Sequence, residues 1–316
     1  MLRTPLTDLL SLDVPVVGAP MAGVAGGALA AAVSAAGGLG MIGVGSSGPP
    51  DSIRAEADRA RLAGARFGIG LMAWALEQRP DLFDAAIAVG PALVSVSFGG
   101  YAPWVDRLHQ VGIMAATQVG DVEAARAAAD CGVDVLVARG AEAGGHGRDS
   151  VGTLPLLQAV LDAVDLPVLA AGGIGTPRGL AAVLAAGAAG AWVGTALLCC
   201  REAASSPAAR ARIRAARETD TIYTRVFDVA LGLAWPPEFG GRALQNDFTR
   251  RWAGHERGLA SDEPARQQLA TARTREDYDT AFIYAGQGVG LVDEERSATE
   301  VVAELAAGAE RLLSRW

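Results

Sequence analysis

The sequence predicts an α/β fold, a (β/α)8 (TIM) barrel with a mostly helical C-terminal appendage. Within residues 1–204, short apolar runs alternate eight times with alanine-rich helical segments. The runs are apolar on both faces, which is typical of a parallel sheet covered by helices, and eight strand–helix units close a barrel. The alternative, an open dinucleotide-binding sheet, requires GxGxxG after its first strand. Residues 18–23 read GAPMAG instead.

The first four predicted units alternate regularly. Each strand is a short run rich in Val, Ile, Leu or Met, and the first helix ends at Gly37-Gly38, because glycine readily adopts the left-handed conformation that ends helices. The predicted strands are 14–18, 39–44, 67–71 and 93–97, and the predicted helices are 27–36, 50–63, 81–89 and 102–110.

The next four units complete the predicted barrel. In the sixth, a long glycine-rich loop separates strand 135–139 from helix 153–164. The remaining predicted strands are 113–118, 168–171 and 191–194, and the remaining predicted helices are 122–130, 177–186 and 195–204.

The composition changes after the eighth unit. Residues 205–220 are polar and rich in arginine, and Trp and Tyr become more frequent beyond them. Amphipathic spacing predicts helices at 247–258, 264–277 and 298–316. We therefore expect three parts: a barrel (1–204), a helical appendage over the catalytic face (205–284), and a C-terminal segment that packs back on the barrel (285–316).

Charge and composition exclude several classes of partner. The net charge is −8 and the pI is about 5.0, so nucleic acid and an anionic membrane surface are not expected as partners. The chain has no lysine and therefore no Schiff-base nucleophile. Its three cysteines lack the spacing of a metal site or a disulfide framework. These features, and the absence of a signal-like N-terminal segment, favour a cytoplasmic protein; the oligomeric state is left open.

A phosphate site is expected at the loops after strands seven and eight. Gly172 and Gly173 follow strand seven and lead into a helix, and Gly194 and Thr195 follow strand eight. Backbone N–H groups at such turns and at helix N-termini bind anions without lysine. The alternative is that these glycines only form tight turns.

The other strand ends suggest a large planar ligand such as a flavin. Pro20, Met21 and Ala22 follow strand one, and Gly70 lies in strand three. Gln118, which ends strand five, would hydrogen-bond a flavin edge, or alternatively a backbone group. Arg139, which ends strand six, would place positive charge near the N1/C2 region and stabilise reduced flavin. For Arg139 the alternative is a salt bridge with Glu142 or Asp149.

His146 is the candidate acid/base. It lies in the glycine-rich loop after strand six, between Gly145 and Gly147, and an imidazole titrates near neutrality. The alternative is an exposed loop histidine. Other polar residues and cysteines are weaker candidates, expected to be structural or outside the site: His109, His255, Cys199, Cys200, Asp134 and Asp165.

An ordered set of motifs resembles the nitronate monooxygenases, formerly called 2-nitropropane dioxygenases. The set runs along nearly the whole chain: GAPMAG (18–23), GIGLMAW (68–74), TQVG (117–120), AEAGGHG (141–147), PVLAAGGI (167–174), WVGTALL (192–198), TRVFD (224–228) and YAGQGVGL (284–291).

This resemblance implies a non-covalently bound FMN and a histidine base at His146. The implied reaction is oxidation of an alkyl nitronate by O2 to a carbonyl compound and nitrite, and some members also deprotonate nitroalkanes. The residues that would line FMN are Pro20, Met21, Ala22, Gly70, Gln118, Arg139 and Gly145, and those that would hold its phosphate are Gly172, Gly173, Gly194 and Thr195. Some members have asparagine at the Gly70 position, lysine at that of Gln118, and Gln or Asp at that of Arg139.

Two other functions remain open. The barrel and its AGGH loop also resemble the flavin-dependent enoyl-acyl-carrier-protein reductases, and relatives act as quinone reductases. The alternative activity is thus NAD(P)H-dependent reduction of a quinone or an enoyl thioester. A non-catalytic barrel that binds FMN or phosphate is the third possibility.

Overall fold

A computed structural model describes residues 2–315 and contains the predicted barrel. The eight barrel strands are β1 (Val16–Gly18), β2 (Gly40–Gly43), β3 (Phe67–Met72), β4 (Leu93–Ser97), β5 (Met114–Val119), β6 (Val135–Arg139), β8 (Val168–Ala171) and β9 (Gly190–Val193), while β7 (Gly145–Gly147) lies outside the barrel. The parallel strands follow one another in the order β1-β9-β8-β6-β5-β4-β3-β2. Hydrogen bonds from Gly18 N to Leu39 O and from Leu39 N to Val16 O join β1 to β2 and close the barrel.

A short helix that the sequence did not predict covers the N-terminal end of the barrel. Helix α1 (Pro5–Leu10) begins at a capping box formed by Thr4, whose hydroxyl also donates to Ala189 O at 2.6 Å. Leu6 and Leu10 pack with the apolar side chains that fill the barrel interior. They remove apolar surface from water at an end that would otherwise be open.

Helices surround the barrel close to the predicted positions. A second, larger core fills the space between these helices and the strands. The helices are α2 (Gly27–Ala35), α3 (Pro50–Leu62), α4 (Ala73–Leu76), α5 (Pro80–Ala88), α6 (Ala102–Gln110), α7 (Val122–Asp130), α8 (Thr153–Leu161) and α9 (Pro177–Ala185).

The eighth barrel helix comes from the C-terminus, and the helix predicted at 195–204 is wrong. After β9 only a 3-10 turn forms, at Thr195–Leu197. Helix α15 (Ala298–Leu313) instead packs between α9 and α2. Residues between the turn and α15 are therefore an insertion between the eighth strand and its helix. Met1 and Trp316, at the ends of the predicted 1–204 and 285–316 segments, lie outside the described residues.

The insertion is mostly helical, as predicted, but it also contributes two strands. β10 (Thr221–Thr224) and β11 (Gly240–Leu244) form an antiparallel sheet, and β7 from the glycine-rich loop is its third strand. The helix predicted at 247–258 is broken at Gly254, where φ is +83°. The helices are α10 (Pro207–Arg214), α11 (Val226–Leu231), α12 (Asp247–Trp252), α13 (Glu256–Ala260) and α14 (Glu263–Arg275).

Among residues 2–315, no helix is long and apolar enough to span a membrane. The division of the chain at residues 204 and 284 stays a prediction. Helix α15, which lies in the predicted segment 285–316, contacts the barrel helices α9 and α2.

Candidate active site

The candidate site lies at the carboxyl ends of the barrel strands, where the loops after β1, β6, β8 and β9 meet. A Cβ added to Gly194 would lie 3.6 Å from Met21 Sδ, and one added to Gly172 would lie 3.2 Å from Ala143 N. The fold thus brings the predicted residues of four separate loops to one face, as the parallel strand directions require.

Gly70 of β3 packs against Pro20 in the loop after β1. It is buried, and a Cβ at this position would lie 2.2 Å from Pro20 Cγ, far inside van der Waals contact. Glycine is therefore required for Pro20 to pack on β3. An asparagine here would need a different loop after β1.

The two predicted phosphate loops leave an open cradle. Gly173 is exposed with φ +70°, and a Cβ added there would meet no atom within 4 Å. Helix α9 starts just after this loop, capped by the Thr176 side chain, so its N-terminal dipole is close to the loop. The Thr195 hydroxyl accepts a hydrogen bond from Gly286 N at 2.9 Å, which ties a third glycine-rich segment to the cradle.

Arg139 clamps the glycine-rich loop from inside the barrel. Its side chain is buried, and Nη2 donates to the carbonyls of Ala143 (3.0 Å), Gly144 (3.2 Å) and Gly145 (2.7 Å). Burial lowers the pKa of Arg139 to about 10. The guanidinium thus holds three successive carbonyls of the segment that carries His146.

The salt bridge considered for Arg139 is not formed. Glu142 instead accepts from the Thr153 N–H (2.8 Å) and hydroxyl (2.9 Å). Asp149 pairs with Arg242 at 2.6 Å, and Arg242 Nε also donates to Ala141 O. The two carboxylates therefore fix the ends of the loop, and Arg139 fixes its middle.

His146 is part of strand β7 rather than an exposed loop residue. Its backbone pairs with Gly241 of β11, and its side chain is only 10% exposed. The imidazole Nε2 lies 2.9 Å from Asp228 Oδ1. Nδ1 makes no hydrogen bond to another described residue, and it is not among the atoms sealed from solvent. The ring therefore has one anchored nitrogen and one available nitrogen.

Asp228 is a buried carboxylate with one side of its carboxyl group engaged. It is 1% exposed; Oδ1 also lies 3.4 Å from the Tyr284 hydroxyl, and Oδ2 has no hydrogen-bond partner among the described residues. Burial and the neighbouring Asp228 raise the pKa of Tyr284 well above its usual value. Tyr284 is consequently a neutral phenol that donates to the carboxylate.

An aromatic wall covers the imidazole; it consists of Trp235 and Phe239 from the insertion and of Trp74 and Phe98 from the barrel. Trp235 stacks on His146 with ring centroids 3.6 Å apart and an interplanar angle of 3°. Trp74 and Phe98 contact Trp235 at 5.2 and 5.3 Å, and Phe239 contacts Phe98 at 5.4 Å. The stacked Trp235 ring excludes water from one face of the imidazole.

The remaining candidates lie elsewhere. The His109 imidazole pairs with Asp134 at 2.9 Å, next to the N-terminal end of β6, and His255 precedes α13 in the insertion. Burial raises the pKa of Cys199 to about 11 and that of Cys200 to about 12, so both thiols are unreactive core groups at neutral pH. Across the part of the chain that the structure describes, no cluster of His, Cys, Asp and Glu could hold a metal ion.

Sequence reasoning missed three residues around His146: Asp228, Trp235 and Tyr284. Two of them lie inside the quoted motifs TRVFD and YAGQGVGL, so a chemical signal was present without an assigned role. In the helix VFDVAL, aspartate occupies a position among apolar residues that are typical of a buried core. Such a local inconsistency is expected at functional sites.

Comparisons with known proteins identify the family of the chain. The family model for nitronate monooxygenase matches residues 3–85 and 82–308. The crystal structure of nitroalkane oxidase from Streptomyces ansochromogenes is 31% identical, with a TM-score of 0.82 and coverage of 98% of this chain and 99% of that one. FabK from Thermotoga maritima is 28% identical, with a TM-score of 0.86 and coverage of 100% and 98%.

A curated relative has a different name. The (3aS,4S,5R,7aS)-5-hydroxy-7a-methyl-1-oxo-octahydro-1H-indene-4-carboxyl-CoA dehydrogenase of Rhodococcus jostii is 34% identical over 72% of this chain. The match spans only 64% of that relative's length, so its activity is not transferred. The family match extends from residue 3 to residue 308. The chain therefore belongs to the nitronate monooxygenase family, whose members are flavin-dependent oxidoreductases.

Proposed function

We propose that this protein binds FMN and oxidises alkyl nitronates with O2 to a carbonyl compound and nitrite. We further propose that His146 takes a proton from neutral nitroalkanes, which makes them substrates too. The observation that carries the proposal is the His146 imidazole at the barrel mouth, with Nε2 anchored and Nδ1 available. Family membership gives the reaction class.

The residues present fit a flavin mononucleotide. Gly145 and Gly173 both have positive φ and open space where a Cβ would lie, so backbone can approach a ring at the first and a phosphate at the second. The Gln118 side-chain amide makes no hydrogen bond to another described residue and is free to bond a ring edge. When bound, the flavin would supply the electron-accepting chemistry.

The chain's own residues would handle the proton. His146 Nδ1 accepts the proton from the carbon that carries the nitro group, and the electron pair of that C–H bond moves into a C=N bond as the nitronate forms. The aromatic wall keeps water from the covered face of the ring, which strengthens electrostatic interactions there. The glycine-rich loop, held by Arg139, keeps the base in position.

Gly173→Asp is expected to weaken FMN binding by about tenfold, since roughly 1.4 kcal/mol of like-charge repulsion corresponds to that factor. A Cβ at Gly173 meets no atom within 4 Å, but a carboxylate there repels a phosphate. Gly173→Asn is the matched control: it has the same size and the same backbone strain without the charge. Flavin titration of the two apoproteins measures the difference. Equal affinity for both variants would contradict a phosphate site at this loop.

A second candidate function is NAD(P)H-dependent reduction of an enoyl thioester or a quinone. It is favoured by the full-length structural similarity to FabK and by the resemblance of the barrel and its AGGH loop to the flavin-dependent enoyl-acyl-carrier-protein reductases. The arginines of the insertion are interspersed with acids, for example Arg210 with Glu295 and Arg266 with Glu263. Such pairs interrupt the positive charge that a carrier protein or a 2′-phosphate would need, so we place this function second.

Anaerobic mixing separates the two functions. We expect propionate 3-nitronate to change the spectrum of the bound flavin within the mixing time, and NADH and NADPH to change it slowly or not at all. Rapid bleaching by a nicotinamide without a response to the nitronate would overturn the first proposal in favour of the second. A purified protein that cannot be reconstituted with flavin would contradict both functions.

The cytoplasm is the proposed compartment of the protein. The three cysteines are free thiols, as is usual in a reducing compartment.

A further inference from the structure

We propose that Asp228 is a positioning residue for His146: its carboxylate holds the imidazole in the tautomer whose Nδ1 lone pair is available for proton transfer. The inference rests on the proposed base role of His146, and it concerns a residue 82 positions away in the chain.

The hydrogen-bond pattern determines the tautomer. An ionised carboxylate only accepts hydrogen bonds, so the 2.9 Å contact between Asp228 Oδ1 and His146 Nε2 requires the hydrogen to be on Nε2. The Tyr284 hydroxyl lies 3.4 Å from the same oxygen and, as a neutral phenol, can only act there as a second donor to the carboxylate. In the neutral ring Nδ1 then carries no hydrogen, and it is the nitrogen without a partner.

Burial strengthens the interaction of the Asp228 carboxylate with a protonated His146. Asp228 is 1% exposed and its Oδ2 has no donor, so its charge is incompletely compensated while His146 is neutral. Proton transfer breaks the C–H bond of the nitroalkane, forms N–H at Nδ1, and leaves an imidazolium beside the carboxylate and a nitronate anion in the site. The carboxylate stabilises that imidazolium in a low-dielectric environment.

The neighbouring residues restrict the ring to this arrangement. Trp235 stacks flat on the imidazole, and the pairing of β7 with β11 fixes its backbone. Asp228 lies in α11, which ends at Gly232 in a left-handed conformation. The Trp235 stack, the β7–β11 pairing and helix α11 hold the imidazole and the carboxylate in place. The hydrogen bond to Asp228 then decides which ring nitrogen carries the hydrogen.

Asp228→Asn tests the inference, because asparagine has the same shape and its NH2 group can donate to Nε2 and reverse the tautomer. We expect kcat/KM for neutral nitroethane to fall about 10²-fold, a typical contribution of a general base, and kcat/KM for ethyl nitronate to change less than about threefold. Asp134→Asn is the matched control, because Asp134 also lies 2.9 Å from a histidine, at the opposite end of the barrel. It should change neither value.

A second readout does not depend on catalysis. With 15N-labelled histidine, NMR of the flavin-loaded wild type should show an Nε2-protonated His146, and Asp228→Asn should increase the Nδ1-protonated form. The chain has three histidines, so the spectrum of a His146 variant assigns the signal. An Nδ1-protonated ring in the wild type would overturn the inference even if Asp228→Asn did not fold, and so would equal losses on both substrates.

Nitroalkane turnover of a His146 variant, compared with that of Asp228→Asn, separates this inference from the proposed function. If replacement of His146 left nitroalkane turnover unchanged, the base role would fail whatever the tautomer. If that replacement abolished nitroalkane turnover while Asp228→Asn had no effect, only the role of Asp228 would fail.

Discussion

His146→Gln is expected to lower turnover of neutral nitroalkanes by about 10²- to 10⁴-fold, the usual contribution of a general base, while turnover of preformed nitronates falls less than about tenfold. Glutamine retains a side-chain N–H that can donate to Asp228, so the buried carboxylate keeps its partner. It has no basic nitrogen, so only the proton transfer is lost. Steady-state kinetics on nitroethane and on ethyl nitronate measure the two effects.

His146→Ala provides the companion variant. It leaves Asp228 without its hydrogen-bond partner from His146 and removes the stack on Trp235, so it should also cost about 1–3 kcal/mol of stability, the range for an unsatisfied buried polar group. Its flavin content should stay near that of the wild type. If either variant lost both activities to the same extent, His146 would not be the base.

Arg139→Met is expected to loosen the glycine-rich loop without unfolding the barrel. The guanidinium bonds three carbonyls of residues 143–145, and a buried carbonyl without a donor costs about 1–3 kcal/mol. Loss of roughly 3–4 kcal/mol of local stability would accelerate amide hydrogen exchange in residues 143–147 by about 10²- to 10³-fold. Because the loop carries His146, nitroalkane turnover should fall with it.

Arg66→Met is the control for this experiment. Arg66 also donates to a carbonyl, that of Leu10 at 2.8 Å, but it does so at the N-terminal end of the barrel. Exchange in residues 143–147 should not change in this variant. Unchanged exchange of the loop in Arg139→Met would mean that the pairing of β7 with β11 holds the loop alone.

The barrel could be predicted because its signal is local. Runs such as Leu93–Ser97 are buried on both faces and alternate with segments of helical composition, so each unit is visible within a short window. The helix predicted at 195–204 failed for a related reason. Leu197 and Cys200 pack into the core between the barrel strands and the surrounding helices, while Leu198 and Cys199 pack into the core of the insertion. Because residues 197–200 are buried on both sides, their apolar pattern has no period that would distinguish a helix from a turn.

The site was predictable only in part. His146 and the glycines at 172 and 173 could be placed at one face from strand order alone. Arg139 was expected next to a flavin or in a salt bridge, and the structure shows a clamp on loop carbonyls. A basic side chain at a strand end has several possible acceptors, and composition does not distinguish a carboxylate from three backbone carbonyls.

The sequence by itself determined the barrel and the position of His146 at its mouth, because strand periodicity and the order of the strand–helix units are visible along the chain. The tertiary structure decided what surrounds His146. Asp228, Trp235 and Tyr284 reach it because the insertion returns across the barrel mouth and β11 pairs with β7. Contacts between segments so far apart depend on topology and packing, and these also decided that α15 supplies the eighth barrel helix.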